Sequence, residues 1–360
     1  MTRRRGSVVL TGPLPPPVHG AALVTERMRT AVREARGEVI VIDTNDRGPA
    51  WCRAARMLVG LARLALLVAS RRRPAIYVGG AGGELLWFQA VVLAVGRLGG
   101  GELVFHHHNT GPLRARTPAM ALVVRCGGAR LLHVVLGEPM REALQQTYPA
   151  ARRVVVCSNA GHMEPARVMP GPATPPARVV LGHLSNLSRA KGLADVVDAA
   201  LAARARGSDV ELVVAGPATD PDAERLLALA AAELGDRFTW LGAVERHRVE
   251  TFLVGLDLFL FPSSYDLEAE PLVVLEAARA GVPTLAYDVG CVGGIVDRPG
   301  VVLPIGGDFT DAVATAVEAV APLTDDDRAE RRRAVADGFD RRRRAAAERW
   351  RELVGLLVDG

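Results

Sequence analysis

The residues best suited to chemistry are two glutamates and a lysine. Glu268 and Glu276 lie eight positions apart and enclose Ala-Glu-Pro-Leu-Val-Val-Leu. Pro271 marks a helix start there, since proline suits a first turn whose N–H has no intrahelical partner. Glu268 then sits on the loop before the helix and Glu276 within it. Ionised carboxylates so placed can each accept two strong hydrogen bonds, the grip that vicinal hydroxyls require. In the stretch 270–273 the free N–H groups, those of Glu270, Leu272 and Val273, open the helix and suit a diphosphate. Among 44 basic side chains, Lys191 is the single lysine. It closes the stretch Leu181-Gly-His-Leu-Ser-Asn-Leu-Ser-Arg-Ala-Lys191, with Arg189 beside it. An ammonium is a compact charge that can stabilise a departing phosphate.

A second group of candidates lies earlier. The apolar run from Leu103 ends in His106-His107-His108-Asn109. Strand alternation puts His106 and His108 on one face and His107 on the other. A histidine metal cluster is the competing reading, but alternation separates the rings and no carboxylate pattern supports it. The run Gly12-Pro-Leu-Pro-Pro-Pro-Val-His-Gly20 is either a plain proline-rich turn or a loop in which Gly20 permits close backbone approach and His19 faces a ligand. The G-x-G-x-x-G fingerprint of dinucleotide sites and the P-loop are both absent, and Gly79-Gly-Ala-Gly-Gly83 fails the spacing, so redox and ATP-hydrolysing readings lose their support.

Such residues need a scaffold that gathers loops from distant parts of the chain. Short apolar runs at 7–11, 39–42, 76–78, 103–106, 131–136 and 154–156 each precede a glycine-rich loop or a helical pattern, the alternation of βαβ units on a parallel sheet. The alternation resumes at 179–184, 210–215, 238–241, 256–261, 283–287 and 301–303. Between the two series lies a proline-rich linker. The expected organisation is a first domain over 1–165, a linker over 166–177, a second domain over 178–323 and a helical segment over 324–360 able to pack back on the first domain. Thr324 before three aspartates reads as its N-cap. The fold class is α/β, with two doubly wound Rossmann-like domains facing a cleft; ligands of such sheets bind beyond the strands' carboxyl ends.

Composition narrows the function further. A chain of 360 residues with 49% hydrophobic and 23% charged side chains is a folded enzyme-sized protein, not a disordered or fibrous one. A net charge of +4 without aromatic interleaving excludes a nucleic-acid partner. Cys52, Cys126, Cys157 and Cys291 are too scattered for a disulfide framework or a zinc site. The basic start is followed by too short an apolar stretch for a secretory signal, which places the chain in the cytoplasm. The apolar stretch 57–69 is too short to cross a bilayer. It reads as a helix packed on a sheet, while Arg53, Arg56 and Arg71 to Arg73 leave open peripheral contact with the inner face of a membrane.

Glu268-x7-Glu276, followed by Ala277-Ala-Arg-Ala-Gly281-Val-Pro283, resembles the E-x7-E signature of retaining GT-B glycosyltransferases, in particular glycosyltransferase family 4. The likeness covers roughly residues 179–303 and extends more weakly into the first domain. It implies a bacterial hexosyltransferase type of enzyme that moves a sugar from a nucleoside-diphosphate sugar, UDP favoured, to a hydroxyl of a glycan, a lipid-linked intermediate or a small natural product. It implies retention through a front-face mechanism. No Asp-x-Asp motif sits at a strand end, so neither a metal nor a cofactor is expected.

By the same resemblance Glu268 meets the donor sugar, Glu276 the ribose, and Lys191 the diphosphate. Asn186 stands where such proteins carry an arginine, and Arg189 is the candidate to take over its charge. Glu270 stands where they carry an aromatic residue, which implies a more polar sugar pocket. Gly20 and His19 fall in the glycine-rich loop near the phosphates, His106 at the strand end that contacts the sugar, and His108 and Asn109 on the acceptor side. Cys157-Ser-Asn-Ala-Gly161 and Gly290-Cys-Val-Gly-Gly294 resemble further turns of the family and carry no assigned role. Rivals are a sugar phosphorylase or nucleotide-sugar epimerase of the same fold, or a non-catalytic sugar-nucleotide binding protein.

Overall fold

The computed structural model describes residues 7–16, 19–36, 39–45, 49–80, 82–169 and 178–359. The chain divides into two compact units, Met1–Met163 with Arg344–Gly360, and Glu164–Arg343.

The first unit is a parallel sheet of β1 (Val8–Gly12), β2 (Val39–Asp43), β3 (Ala75–Gly80), β4 (Leu103–His107), β5 (Leu131–Val135) and β6 (Arg153–Val156). Its strand order is β2-β1-β3-β4-β5-β6. Strands β1, β3 and β4 are buried at every position, which is why they read as unbroken apolar runs and not as alternating ones. The helices of this unit are α1 (Gly20–Arg36), α2 (Ala50–Ala69), α3 (Leu85–Gly99), α4 (Gly111–Arg114), α5 (Pro118–Gly127) and α6 (Glu138–Thr147). Thr117 caps α5 by accepting a hydrogen bond from the Met120 N–H at 3.2 Å.

The second unit repeats the plan with β7 (Val179–Leu184), β8 (Val210–Ala215), β9 (Phe238–Trp240), β10 (Leu258–Phe261), β11 (Thr284–Tyr287) and β12 (Val301–Leu303), ordered β12-β11-β10-β7-β8-β9. Around it run α7 (Leu193–Ala205), α8 (Pro221–Leu234), α9 (Val249–Val254), α10 (Leu272–Arg279) and α11 (Phe309–Val320). Leu181, Val196, Leu212, Leu260, Phe309 and Val317 are among the side chains of its core. Asp220 and Asp308 cap α8 and α11, accepting from the Ala223 and Asp311 N–H groups at 2.7 and 2.9 Å.

All twelve expected strands are present among the described residues, with edges that move by a residue or two. The run 256–261 starts as a strand only at Leu258, because the Asp257 carboxylate itself accepts the Val180 N–H at 2.9 Å and pairs with Arg328 at 2.8 Å. The last helix, α12 (Asp325–Asp359), is 35 residues long. Thr324 caps it reciprocally: its hydroxyl accepts the Asp327 N–H at 3.2 Å while the Asp327 carboxylate accepts the Thr324 N–H at 3.1 Å. Residues from Arg344 onward belong to the first unit, where a Cβ on Gly161 would strike the Ala346 backbone. Of the linker, 170–177 lie outside the described residues, as do Pro17 and Val18 of the loop before Gly20. The Ala166 N–H donates to Asp340 at 3.0 Å and the Arg167 N–H to the Arg279 carbonyl at 3.2 Å, which ties the start of the linker to the second unit.

Candidate functional site

In the second sheet the strand order reverses between β7 and β10, which run parallel with Leu258 opposite Leu181. A reversal of this kind leaves a crevice beyond the carboxyl ends of the two strands. Lys191 follows β7 and Glu268 follows β10, so chain topology delivers both to the same crevice. Two local devices fix them. Ser188 accepts the Lys191 N–H at 3.3 Å and shapes a short helical turn, Arg189–Lys191. The Ser264 N–H then donates to the Ala190 carbonyl at 3.0 Å and joins the two loops. Gly192 ends the turn at φ +81°, where a Cβ would collide with the Pro262 carbonyl.

Lys191 Nζ forms an ion pair with Glu268 Oε1 and stands 4.2 Å from the centre of the Tyr265 ring, a cation–π contact. Both partners are largely withdrawn from solvent, with side chains 20% and 10% exposed. The loop carrying Glu268 is held from behind: the Cys291 N–H donates to the Ala269 carbonyl at 2.7 Å, and a Cβ on Gly290 would strike the Glu268 and Ala269 carbonyls. Glu270 is buried beside it.

Pro271 is the residue just before α10, and Leu272 opens the helix. Glu276 is buried one turn inside and ion-paired with Arg246, a charge contact and not an aligned hydrogen bond. Arg246 belongs to the turn Arg246–Arg248 and was not among the sequence candidates, because nothing in its spacing links it to Glu276 thirty positions later. Arg189 goes elsewhere: its side chain is 72% exposed and its nearest carboxylate is Asp222, at 3.9 Å. Asn186 is exposed. His183 is buried between the Leu260 carbonyl at 2.9 Å and the Ser185 hydroxyl at 2.8 Å, and burial lowers its pKa to about 4, so it is neutral at pH 7.

In the first unit the histidines divide between faces as alternation requires. His107 turns to His133, with ring nitrogens 3.1 Å apart. His106 and His108 share the other face, their ring centres 4.3 Å apart. Tyr77 Oη lies 2.7 Å from His106 Nδ1, while His106 Nε2 is buried with no hydrogen-bond partner among the described residues. Burial, reinforced by the neighbouring imidazoles, lowers the pKa of His106 well below the usual value and that of His108 to about 3. Trp350 of α12 packs tilted against His162 and near His106, with ring centres 4.9 and 6.5 Å away, a neighbour that no local pattern could reveal. His19 stands at the head of α1, its Nδ1 3.4 Å from the Ala22 N–H, and Gly20 begins the helix. Asn109 accepts the Gly111 N–H at 2.7 Å, which ties it to the start of α4. Among the described residues no three His, Cys, Asp or Glu side chains are grouped to hold a metal ion.

Comparison with known proteins places these features. Residues 170–326 match the family described as Glycosyl transferases group 1. A 2-deoxystreptamine glucosyltransferase of Streptomyces kanamyceticus is 31% identical over 35% of this chain and 31% of its own. The lipopolysaccharide core biosynthesis mannosyltransferase LpsB of Rhizobium meliloti is 30% identical over 42% and 43%. A GDP-mannose-dependent alpha-(1-6)-phosphatidylinositol monomannoside mannosyltransferase of Mycobacterium tuberculosis is 33% identical over 49% and 45%. The chain thus spans less than half the length of these curated relatives. Among solved structures, Anabaena Alr3699/HepE in complex with UDP superposes with a TM-score of 0.69 at 18% identity over 97% of this chain and 99% of that one. The lipopolysaccharide outer core galactosyltransferase WaaB superposes with a TM-score of 0.64 at 14% identity, over 96% and 99%. The chain has the GT-B fold, and its second unit carries the match to glycosyl transferases group 1.

Proposed function

We propose that the protein is a glycosyltransferase that moves a hexosyl group from a nucleoside-diphosphate sugar to an acceptor hydroxyl, with retention of configuration. The observation that carries this reading is the Lys191–Glu268 ion pair at the strand reversal, with Glu276 one turn inside the next helix. The group 1 match spans these residues. The pairing gathers what a site for a charged, polyhydroxylated donor needs: cations suited to phosphate beside carboxylates suited to hydroxyls.

When the donor binds, Glu268 and Glu276 exchange their cations for sugar and ribose hydroxyls, and Glu270 adds a polar wall to the sugar pocket. Lys191, the released Arg246 and the N–H groups of Leu272 and Val273 then face the diphosphate. The acceptor oxygen attacks the anomeric carbon as the carbon–oxygen bond to the β-phosphate breaks. The acceptor proton passes to the departing phosphate oxygen, so no side chain must act as base and no divalent cation is needed. His106, held neutral by burial, is the proposed sugar contact of the first unit, and His108 and Asn109 are assigned to the acceptor.

UDP is the first donor to try, since Alr3699/HepE is described with UDP and UDP-glucose, while GDP-mannose serves the mycobacterial relative. Acceptors of the relatives' kinds, a lipid-linked saccharide or an aminocyclitol, define the range to test in a cytoplasmic enzyme. The test is thermal melting with UDP-, GDP- and TDP-sugars in the presence of EDTA. One of them should stabilise the chain, by about 2.7 kcal/mol at a hundredfold excess over Kd. If none raises the melting temperature and none is hydrolysed, the reading fails; if stabilisation needs added metal, the metal-free mechanism fails.

A further inference from the structure

The crossovers β2→β3, β3→β4, β4→β5 and β5→β6 all advance in one direction across the first sheet, whereas β1→β2 goes back. Right-handed connection therefore lays α2, α3, α5 and α6 on one side of the sheet and α1 on the other. The outer surface of the first three of these helices is unusual. On α2 the large exposed side chains are Trp51, Leu58, Val59 and Leu66, and among its exposed positions only Arg63 is not apolar. Trp51 is 72% exposed and Leu66 69%, while Gly60 on the inner side lets the helix lie close on Ile42 of β2. On α3, Trp87, Val91 and Leu98 continue the apolar surface, with Leu98 81% exposed. A helix whose outer side is as apolar as its inner one belongs in a core or against lipid, and the outer side of α2, apart from Arg63, is apolar and exposed.

The charge of α2, α3 and α5 is one-sided, and the acids of the helices on this side of the sheet, Glu138 and Glu142, lie on α6. Helices α2, α3 and α5 together contain 45 residues and not one Asp or Glu. Between α3, α5 and the loop after α6 lies an apolar hollow of about 750 Å3, lined by Trp87, Leu122 and Val124 and edged by Arg116, Arg125 and Arg152. These three arginines and Arg63 are exposed, and none is paired with a carboxylate among the described residues. The whole first unit holds 25 arginines against 12 Asp and Glu, a formal +13, whereas the second holds 19 basic against 28 acidic side chains, −9. The overall +4 conceals this division.

We infer that the α2–α3–α5 face docks on an anionic lipid bilayer, with its apolar side chains entering the interface and its unpaired arginines meeting lipid phosphates. Large exposed apolar side chains interspersed with arginine and free of acid fit that partner on both counts. A second copy docking through the same face would set two +13 units together. No described helix is long and apolar enough to cross a membrane, and the contact inferred is one with the bilayer surface.

The inference does not depend on the transferase reading: vesicle binding is measured without donor, and donor binding without vesicles. The experiment is flotation of the full chain with vesicles of phosphatidylcholine alone or with about 30% phosphatidylglycerol, at low salt and at about 1 M, where screening is nearly complete. Strong binding to the anionic vesicles is expected, with loss of at least about tenfold on neutral vesicles or in high salt, because each basic side chain near the surface adds about 1 kcal/mol. Leu58→Glu with Leu66→Glu should abolish flotation while the circular dichroism melt is kept, since both sites are exposed. Leu229→Glu, at an exposed leucine of the second unit, should change nothing. Equal binding to neutral vesicles, no binding to either, or full binding by the α2 variant would overturn the inference. So would a dimer in sedimentation velocity that the α2 variant dissolves, which would assign the face to a second copy.

Discussion

At the scale of single residues the site is defined by how charges are shared. Lys191 holds Glu268 and Arg246 holds Glu276, so each of the two carboxylates proposed to meet hydroxyls is covered by a cation. Sequence spacing located three of these four residues, because each belongs to a local pattern: a lysine after a strand, glutamates around a helix start. Arg246 belongs to none, and its role arises only where the fold brings its turn to Glu276. Arg189, the local alternative, faces solvent and Asp222. The two arginines therefore separate in a kinetic test. Arg246→Ala should raise the donor KM and lower kcat/KM by about 10- to 100-fold, as loss of a charge-assisted contact of about 1.5–3 kcal/mol implies. Arg189→Ala should stay within about twofold, since exposed ion pairs contribute about 0–1 kcal/mol. Equal losses would return the diphosphate role to Arg189.

At the scale of elements the strands were legible and their junctions were not. Central parallel strands such as β1, β3 and β10 are buried on both faces and read as short apolar runs, and the regular return of such runs between helical patterns placed the edge strands as well. What could not be read is how Gly192 and Gly290 clamp the loops beyond β7 and β10, since both depend on carbonyls from distant segments. Gly192→Ala forces a side chain into a left-handed conformation and against the Pro262 carbonyl. It should cost at least about 1–3 kcal/mol, read as a lower melting temperature together with weaker donor binding. An unchanged melt would show that the two loops part without cost. Strands β4 and β5 make a second prediction. His106, His107, His108 and His133 are all held neutral by burial, with pKa values lowered to about 3 for His108 and about 4 for His133. The unfolded chain binds more protons in acid, so this stability is complete above about pH 6.5 and falls as pH drops toward 4. Each histidine should contribute a slope of about 1.4 kcal/mol per pH unit in that window. His133→Gln, melted at pH 7.5 and at pH 5, should show a smaller loss on acidification than the wild type; an equal loss would remove His133 from the account.

At the scale of the whole molecule the sequence concealed as much as it revealed. Two series of strands split by a proline-rich stretch announced two doubly wound units. The net charge announced nothing, because a strongly basic unit and an acidic one cancel in the total. The sequence offered a last helical segment able to pack back on the first domain, but no local pattern could show that it brings Trp350 to His106 and His162. The central claim concerns the second unit, that Lys191, Glu268 and Glu276 hold a nucleoside diphosphate sugar at the strand reversal. Isothermal titration of UDP, GDP and TDP into the wild type and Lys191→Ala tests it most directly. One nucleotide should bind the wild type, and Lys191→Ala should bind it at least about tenfold more weakly, equivalent to about 1.4 kcal/mol. Equal affinity for both proteins, or no binding of any of the three by the wild type, would contradict it.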